Sequence, residues 1–376
     1  MKNKENGRES GIELLKMLSV ILIVISHTTY TFFQENSLFS NEYIIPLNHA
    51  TRNIQYWILT WMSFWGQQGN LLFFVASAWF LVDKDEVNIR KCIKLILDSQ
   101  VISVIFLFVI GRFITLSPLE IIINIFPTRW ELYWYIPFYI MFYLIHGHIN
   151  RVIKNLSQKG LLIFCVSMLL LYFGLNYLHK GYFFFSNMTI FITVYLVISY
   201  MKKYMISFYA NRSVNKICAI LGIGITPILI VITNYLGLYF SFFEDKVRMW
   251  GGHNSPFMLL TAIALFNLFR GIRFTNSAIN KISSMSLLIY IIHENYLFRF
   301  HIRPYIYVYV YENIGYEHIV LLNISIALLH YLVALGFAYI YTISVQKIVY
   351  CLGNILYEKL YKFVDSCFEK LLLFLK

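Results

Sequence analysis

Histidine is the side chain whose proton comes and goes near neutral pH. His27 lies in the run GIELLKMLSVILIVISHTTY, about 15 residues above the start of an apolar helix. At ~1.5 Å per residue this is ~22 Å along the helix, in the outer part of a ~30 Å hydrocarbon core. An imidazole there could serve as general base toward a hydroxyl, or carry a group as nucleophile. On position alone, a histidine hydrogen-bonded at the outer interface is the plainer alternative. His293 and Glu294 follow one another in SLLIYIIHENYLFR. Ionisable groups inside an apolar run are costly and usually face a cavity. Glu131, in RWELYWY, sits at the start of another run; it or Glu294 could hold the tautomer of a proton-transferring histidine.

A second set is cationic. Lys16 stands three residues after Glu13 in the first helix, and Arg90, Lys91 and Lys94 precede another apolar run. Such a cluster suits an anionic head group or the phosphates of a nucleotide-like donor, while orientation in the membrane is the plain alternative. Gly66-Gln67-Gln68-Gly69-Asn70 interrupts a span and predicts a broken or cavity-lining stretch. His253 and Asn254 lie in the loop GGHNSPF. The five cysteines are scattered without a C-x-x-C pair, so neither a disulfide framework nor a metal site is expected. The chain has no G-x-S-x-G, P-loop, H-E-x-x-H or dinucleotide fingerprint, which leaves hydrolase, nucleotidase and metalloprotease readings without support.

The elements that position these groups must be membrane helices. Of 376 residues 59% are apolar and 13% charged, against about 25% charged in a soluble domain. So few charges cannot cover a water-exposed surface of this size. The net charge of +12 falls in short loops rather than on a stripe with stacking aromatics, so no nucleic acid is expected. Ten segments predict an all-α bundle of about ten transmembrane helices: roughly 12–33, 57–82, 95–116, 132–149, 160–178, 183–201, 217–238, 256–270, 284–300 and 319–345. With the N-terminus in the cytoplasm, most lysines and arginines fall on the inner side, which puts both termini there. Residues 1–11 then form a cytoplasmic segment and 12–345 the transmembrane domain. Residues 346–376 form a tail whose apolar positions recur at helical spacing; its charges forbid spanning, so an amphipathic helix on the inner leaflet or docked on protein is expected.

Taken in order, GIELLKMLSVILIVISH, FFVASAWFLV, NSPFMLLTAIALFNLFR and INKISSMSLLIYIIHEN resemble the acyltransferase-3 family of integral membrane acyltransferases. The likeness runs from about Arg8 to Val345 and is best to polysaccharide O-acetyltransferases of Gram-positive type. The resemblance implies acetyl-CoA as acyl donor from the cytoplasm, no metal, and an envelope glycan or lipid-linked saccharide as acceptor at the plasma membrane. It puts the family's first-span histidine on His27 and its basic positions on Lys16, Lys91 and Lys94, with Arg90 beside them. The chain departs from the family in having lysine where arginine is common, which removes the bidentate fork but keeps the charge. It also has Ser77-Ala78 where Ser-Gly is common. A transporter or flippase of lipid-linked saccharides would share the span count and basic loops, but would have no use for acyl-CoA.

Overall fold

The computed structural model describes residues 10–32, 35–36, 42–43, 54–129, 133–174, 187–243, 246–314 and 317–374. Among the described residues the architecture is helical apart from one antiparallel pair of two-residue strands, β1 (Glu35–Asn36) and β2 (Glu42–Tyr43). Helix covers part or most of each of the ten predicted segments. Among the described residues, four helices are long and apolar enough by themselves to cross a membrane: α1 (Ser10–Thr31), α4 (Ile89–Ile110), α10 (Arg212–Gly237) and α16 (Ile319–Ser344).

The chain orders its remaining helices as α2 (Ile54–Ser63), α3 (Trp65–Leu81), α5 (Pro118–Ile125), α6 (Tyr135–Asn155), α7 (Gln158–Leu169), α8 (Asn187–Tyr204), α9 (Ile206–Ala210), α11 (Val247–Gly251), α12 (Pro256–Arg270), α13 (Ser277–Ser284), α14 (Ser286–His293), α15 (Arg303–Ile314) and α17 (Gln346–Phe374). Local chemistry sets several starts. Ser255 caps α12 by accepting from the Met258 amide, with Pro256 in the first turn. Ser117 and Glu120 form a reciprocal capping box on α5.

α1 is the central element, packed against α3, α12, α13, α14 and α16. Its approach to α3 depends on two glycines. A Cβ at Gly66 would lie 2.8 Å from Ser26 Oγ, and one at Gly69 would collide with the Ser19 carbonyl. Small residues permit this closeness in membrane bundles. The buried face of α1 is therefore lined by residues fixed in register with α3, and His27 inherits that register.

One prediction needs correction. The segment 284–300 is not one continuous helix. α14 ends at His293, Glu294 and Asn295 break it, and a π turn over Phe298–Ile302 leads into α15. The reason is local: Asn295 Oδ1 accepts from the Leu297 amide at 3.1 Å, starting a new turn. Of the two alternatives for the tail, the structure shows the docked one over its first half, since α17 packs along α4.

Candidate active site

His27 points from α1 toward the break after α14. Its Nδ1 lies 3.0 Å from His293 Nε2 and 3.0 Å from Glu294 Oε1. The proton positions follow from the partners. His293 Nδ1 lies 3.0 Å from the Ile289 carbonyl, which can only accept. His293 therefore carries its proton on Nδ1 and offers a lone pair at Nε2. His27 Nδ1 then faces two acceptors, a nitrogen lone pair and a carboxylate oxygen, and must donate. The second nitrogen of His27, Nε2, keeps its lone pair. No hydrogen bond to that atom exists among the described residues, and the side chain keeps 22% of its surface exposed. The network thus fixes one tautomer and leaves Nε2 without a hydrogen bond among the described residues.

Glu294 is held in turn. Arg303 donates to Glu294 Oε1 at 2.9 Å and also to the His293 carbonyl. Arg299 donates to Oε2 at 3.1 Å. Arg303 is 1% exposed and is the largest fully buried side chain among the described residues. A charge so deep needs both a counter-charge and hydrogen bonds, and the exposed backbone at the helix break supplies one of them. Beside the cluster, Ser103, Tyr133 and Asn295 form a buried polar contact, with Ser103 Oγ and Tyr133 Oη 2.9 Å apart.

Donor atoms of His27, His293 and Glu294 all lie within 4.8 Å of one another, close enough to ring an ion. Two guanidinium groups already neutralise the carboxylate, however, and repel a further dication. The donor set fits hydrogen bonding better than metal binding.

Toward the N-terminal end of α1 lies a cavity of about 230 Å³, lined by Lys16, Phe73, Ser77, Leu95, Tyr135 and Leu287 among others. Lys16 reaches Glu13 Oε1 at 3.4 Å. Glu13 is itself buried and accepts from Ser283 Oγ at 2.5 Å. The three cations ahead of α4 do not act as one group. Arg90 pairs with Glu358 of α17 at 2.6 Å and lies 4.6 Å from the Tyr357 ring centroid. Lys94 lies 4.6 Å from the ring centroid of Tyr350. Lys91 is exposed, one helical turn below the cavity residue Leu95 on the same face.

Of the residues singled out from sequence, His27, His293 and Glu294 come together and Lys16 joins the cavity, while Arg90 and Lys94 turn to the tail. Glu131 lies outside the described residues. Sequence reasoning missed Arg303, Tyr133, Tyr135 and Tyr290. Arg303 counted only among the outer charges that set topology, Tyr133 and Tyr135 read as interfacial aromatics, and Tyr290 was one more residue of an apolar run. A partial signal existed in the Glu294-Asn295 pair, where an apolar helix meets two polar residues and an arginine soon follows.

No curated protein and no solved structure matches this chain. A family model for an acyltransferase domain matches residues 9–343, which includes every element that builds the cavity and the histidine cluster. The chain belongs to the acyltransferase-3 family of membrane acyltransferases.

Proposed function

We propose that the protein moves an acetyl group from cytoplasmic acetyl-CoA to a hydroxyl of an envelope or capsular polysaccharide, at the plasma membrane and with both termini in the cytoplasm. The observation that carries this reading is the tautomer chain Ile289 carbonyl–His293–His27, which leaves His27 Nε2 as an unengaged base.

His27 Nε2 takes the proton of the acceptor hydroxyl as that oxygen bonds to the thioester carbonyl carbon. The carbon–sulfur bond then breaks, and the imidazolium returns the proton to the leaving sulfur, so the products are an ester and a free thiol. Glu294 lies against Nδ1, where positive charge develops, and its own position is held by Arg299 and Arg303. This is how a buried carboxylate assists a catalytic imidazole. Lys16 and Lys91 suit the donor phosphates by charge-assisted hydrogen bonds, with Arg90 and Lys94 beside them. The apolar cavity suits the slim thioester arm.

The test is transfer of radiolabelled acetyl from acetyl-CoA to envelope polysaccharide by membranes containing the protein, with His27→Ala alongside. The wild type should label the glycan, and the variant should lose the label. Labelling at a near-normal rate by His27→Ala removes this histidine from the mechanism. A chain that binds no acetyl-CoA but still moves lipid-linked saccharide is a flippase.

A further inference from the structure

The two arginines that hold Glu294 come from a stretch with little packing of its own. Arg299 lies within the π turn Phe298–Ile302, and Arg303 directly follows it. None of the five residues of that turn is buried. π turns are rare and occur mostly as single turns at functional sites. With no buried side chain, this one is held by the contacts its side chains make. On one side Arg299 donates to Glu294 Oε2 at 3.1 Å, and the Phe298 ring stands 5.2 Å from that of His330. On the other side His301 Nε2 lies 2.8 Å from Glu120 Oε1 of α5. An ionised carboxylate can only accept, so His301 donates. Glu120 is fixed in its turn. Its Oε2 accepts from the Ser117 amide and the Ser117 hydroxyl, each at 2.8 Å. Both oxygens are thus committed, one to the start of α5 and one to the π turn. α5 packs on α4, so a continuous set of contacts runs from α4 through α5, Glu120 and His301 to the turn that carries Arg299.

We propose that Glu120 and His301 are positioning residues for acyl transfer: their hydrogen bond sets the π turn so that Arg299 and Arg303 converge on Glu294 and hold it against His27. The inference rests on the acyl-transfer reading above. The two arginines take different oxygens of Glu294, Arg303 on Oε1 and Arg299 on Oε2. Oε1 is also the oxygen that faces His27 Nδ1. Rotation of the carboxylate would take that oxygen out of line with the imidazole. Arg299 opposes the rotation only while its turn stays in place, and His301 is two residues further along the same turn. The Glu120 and His301 side chains keep 19% and 18% of their surface exposed. That shielding and the charge on the carboxylate make their bond stronger than a fully exposed one. A misplacement of about 1 Å in a catalytic group can cost on the order of 10²-fold in rate. Slack in the turn is therefore felt in turnover rather than in donor binding.

Thiol release by purified protein in lipid nanodiscs, given acetyl-CoA and envelope polysaccharide, tests this. His301→Leu and Glu120→Leu should each lower kcat about tenfold and leave the KM for acetyl-CoA within about twofold. The double variant should fall no further than either single one, because both break the same bond. His301→Gln, whose amide N–H can still donate to Glu120, should stay within about threefold of wild type. Glu120→Gln has one acceptor oxygen in place of two and serves if the leucine variants do not fold; its kcat should fall about threefold. Folded leucine variants with wild-type kcat overturn the positioning role alone, as does a double variant whose loss is the product of the two single losses. A His301→Gln variant as slow as His301→Leu overturns it too, because the ring rather than the bond would then matter. Where only Glu120→Gln folds, an unchanged kcat overturns it. A wild type that uses no acetyl-CoA overturns both the transfer reading and the positioning role.

Discussion

The surroundings of His27 and the start of α4 hold charge in opposite ways. Around His27 the carboxylate of Glu294 and the guanidinium of Arg303 are buried and multiply bonded: Glu294 engages His27, Arg299 and Arg303, and Arg303 is shared with a backbone carbonyl. At the start of α4, Arg90 and Lys91 are exposed, and Arg90 is held by an ion pair at the surface. Arg90 meets Glu358 where both side chains keep about half their surface in solvent, 49% and 54%. The first arrangement fixes one geometry, as proton transfer requires, because removing Glu294 or Arg303 strands a buried charge. The second leaves charges free to rearrange around a polyanion, since an exposed pair contributes ~0–1 kcal/mol. The contrast is between a preorganised centre and an adaptable mouth.

The comparison is broken most severely at His27. His27→Ala should lower the rate of acetyl transfer by about 10²–10⁴-fold, and Glu294→Gln should fall in the same range by releasing the tautomer. Acetyl-transfer rates at saturating donor check both. A Glu294→Gln variant within threefold of wild type would show that His293 alone holds the imidazole. Next comes stability. Arg303→Met should destabilise the protein by about 3–5 kcal/mol, because it strips a buried partner from Glu294. Arg299→Met should cost about 1 kcal/mol, because its side chain is 29% exposed and water replaces part of the contact. Thermal unfolding in detergent separates the two, and equal losses would refute the distinction between buried and screened cations.

At the mouth, Lys91→Ala should raise the KM for acetyl-CoA by about tenfold, the ~1.4 kcal/mol scale of one charge-assisted hydrogen bond, with little change in kcat. A fall in kcat at unchanged KM would place Lys91 outside donor binding. The loop residue His253 sharpens the picture through pH. Burial pushes its pKa from 6.5 down to about 3. A depressed histidine stabilises the fold above the unfolded value and loses that contribution as pH falls from 6.5 toward 3. Melting temperature should therefore drop between pH 7.5 and pH 5, and His253→Phe should flatten that part of the drop. The smallest effect is expected for Glu358→Gln, less than about 1 kcal/mol, checked by the same melting assay; a larger loss would make the tail a structural strut.

The membrane class, the helical segments and the family were legible in the residues because they depend on composition and local period. Few charges and long apolar runs admit few structures in lipid. His27, His293 and Glu294 were legible as individual costs, since each interrupts an apolar run. The cluster was harder to read. Arg303 follows Glu294 by nine residues across a break and a π turn, so no helical spacing connects them. Arg90, Lys91 and Lys94 look like one patch in the chain, but α4 turns them to different faces and α17 covers two of them.

By itself the sequence determined the solvent, the helices and the residue types that could transfer a proton. Each of those depends on a residue and its near neighbours. The tertiary structure decided which nitrogen of His27 is engaged by a partner and which carboxylate holds it. Those depend on distances of about 3–6 Å between α1 and the break after α14, segments more than 260 residues apart in the chain, and packing alone sets such distances.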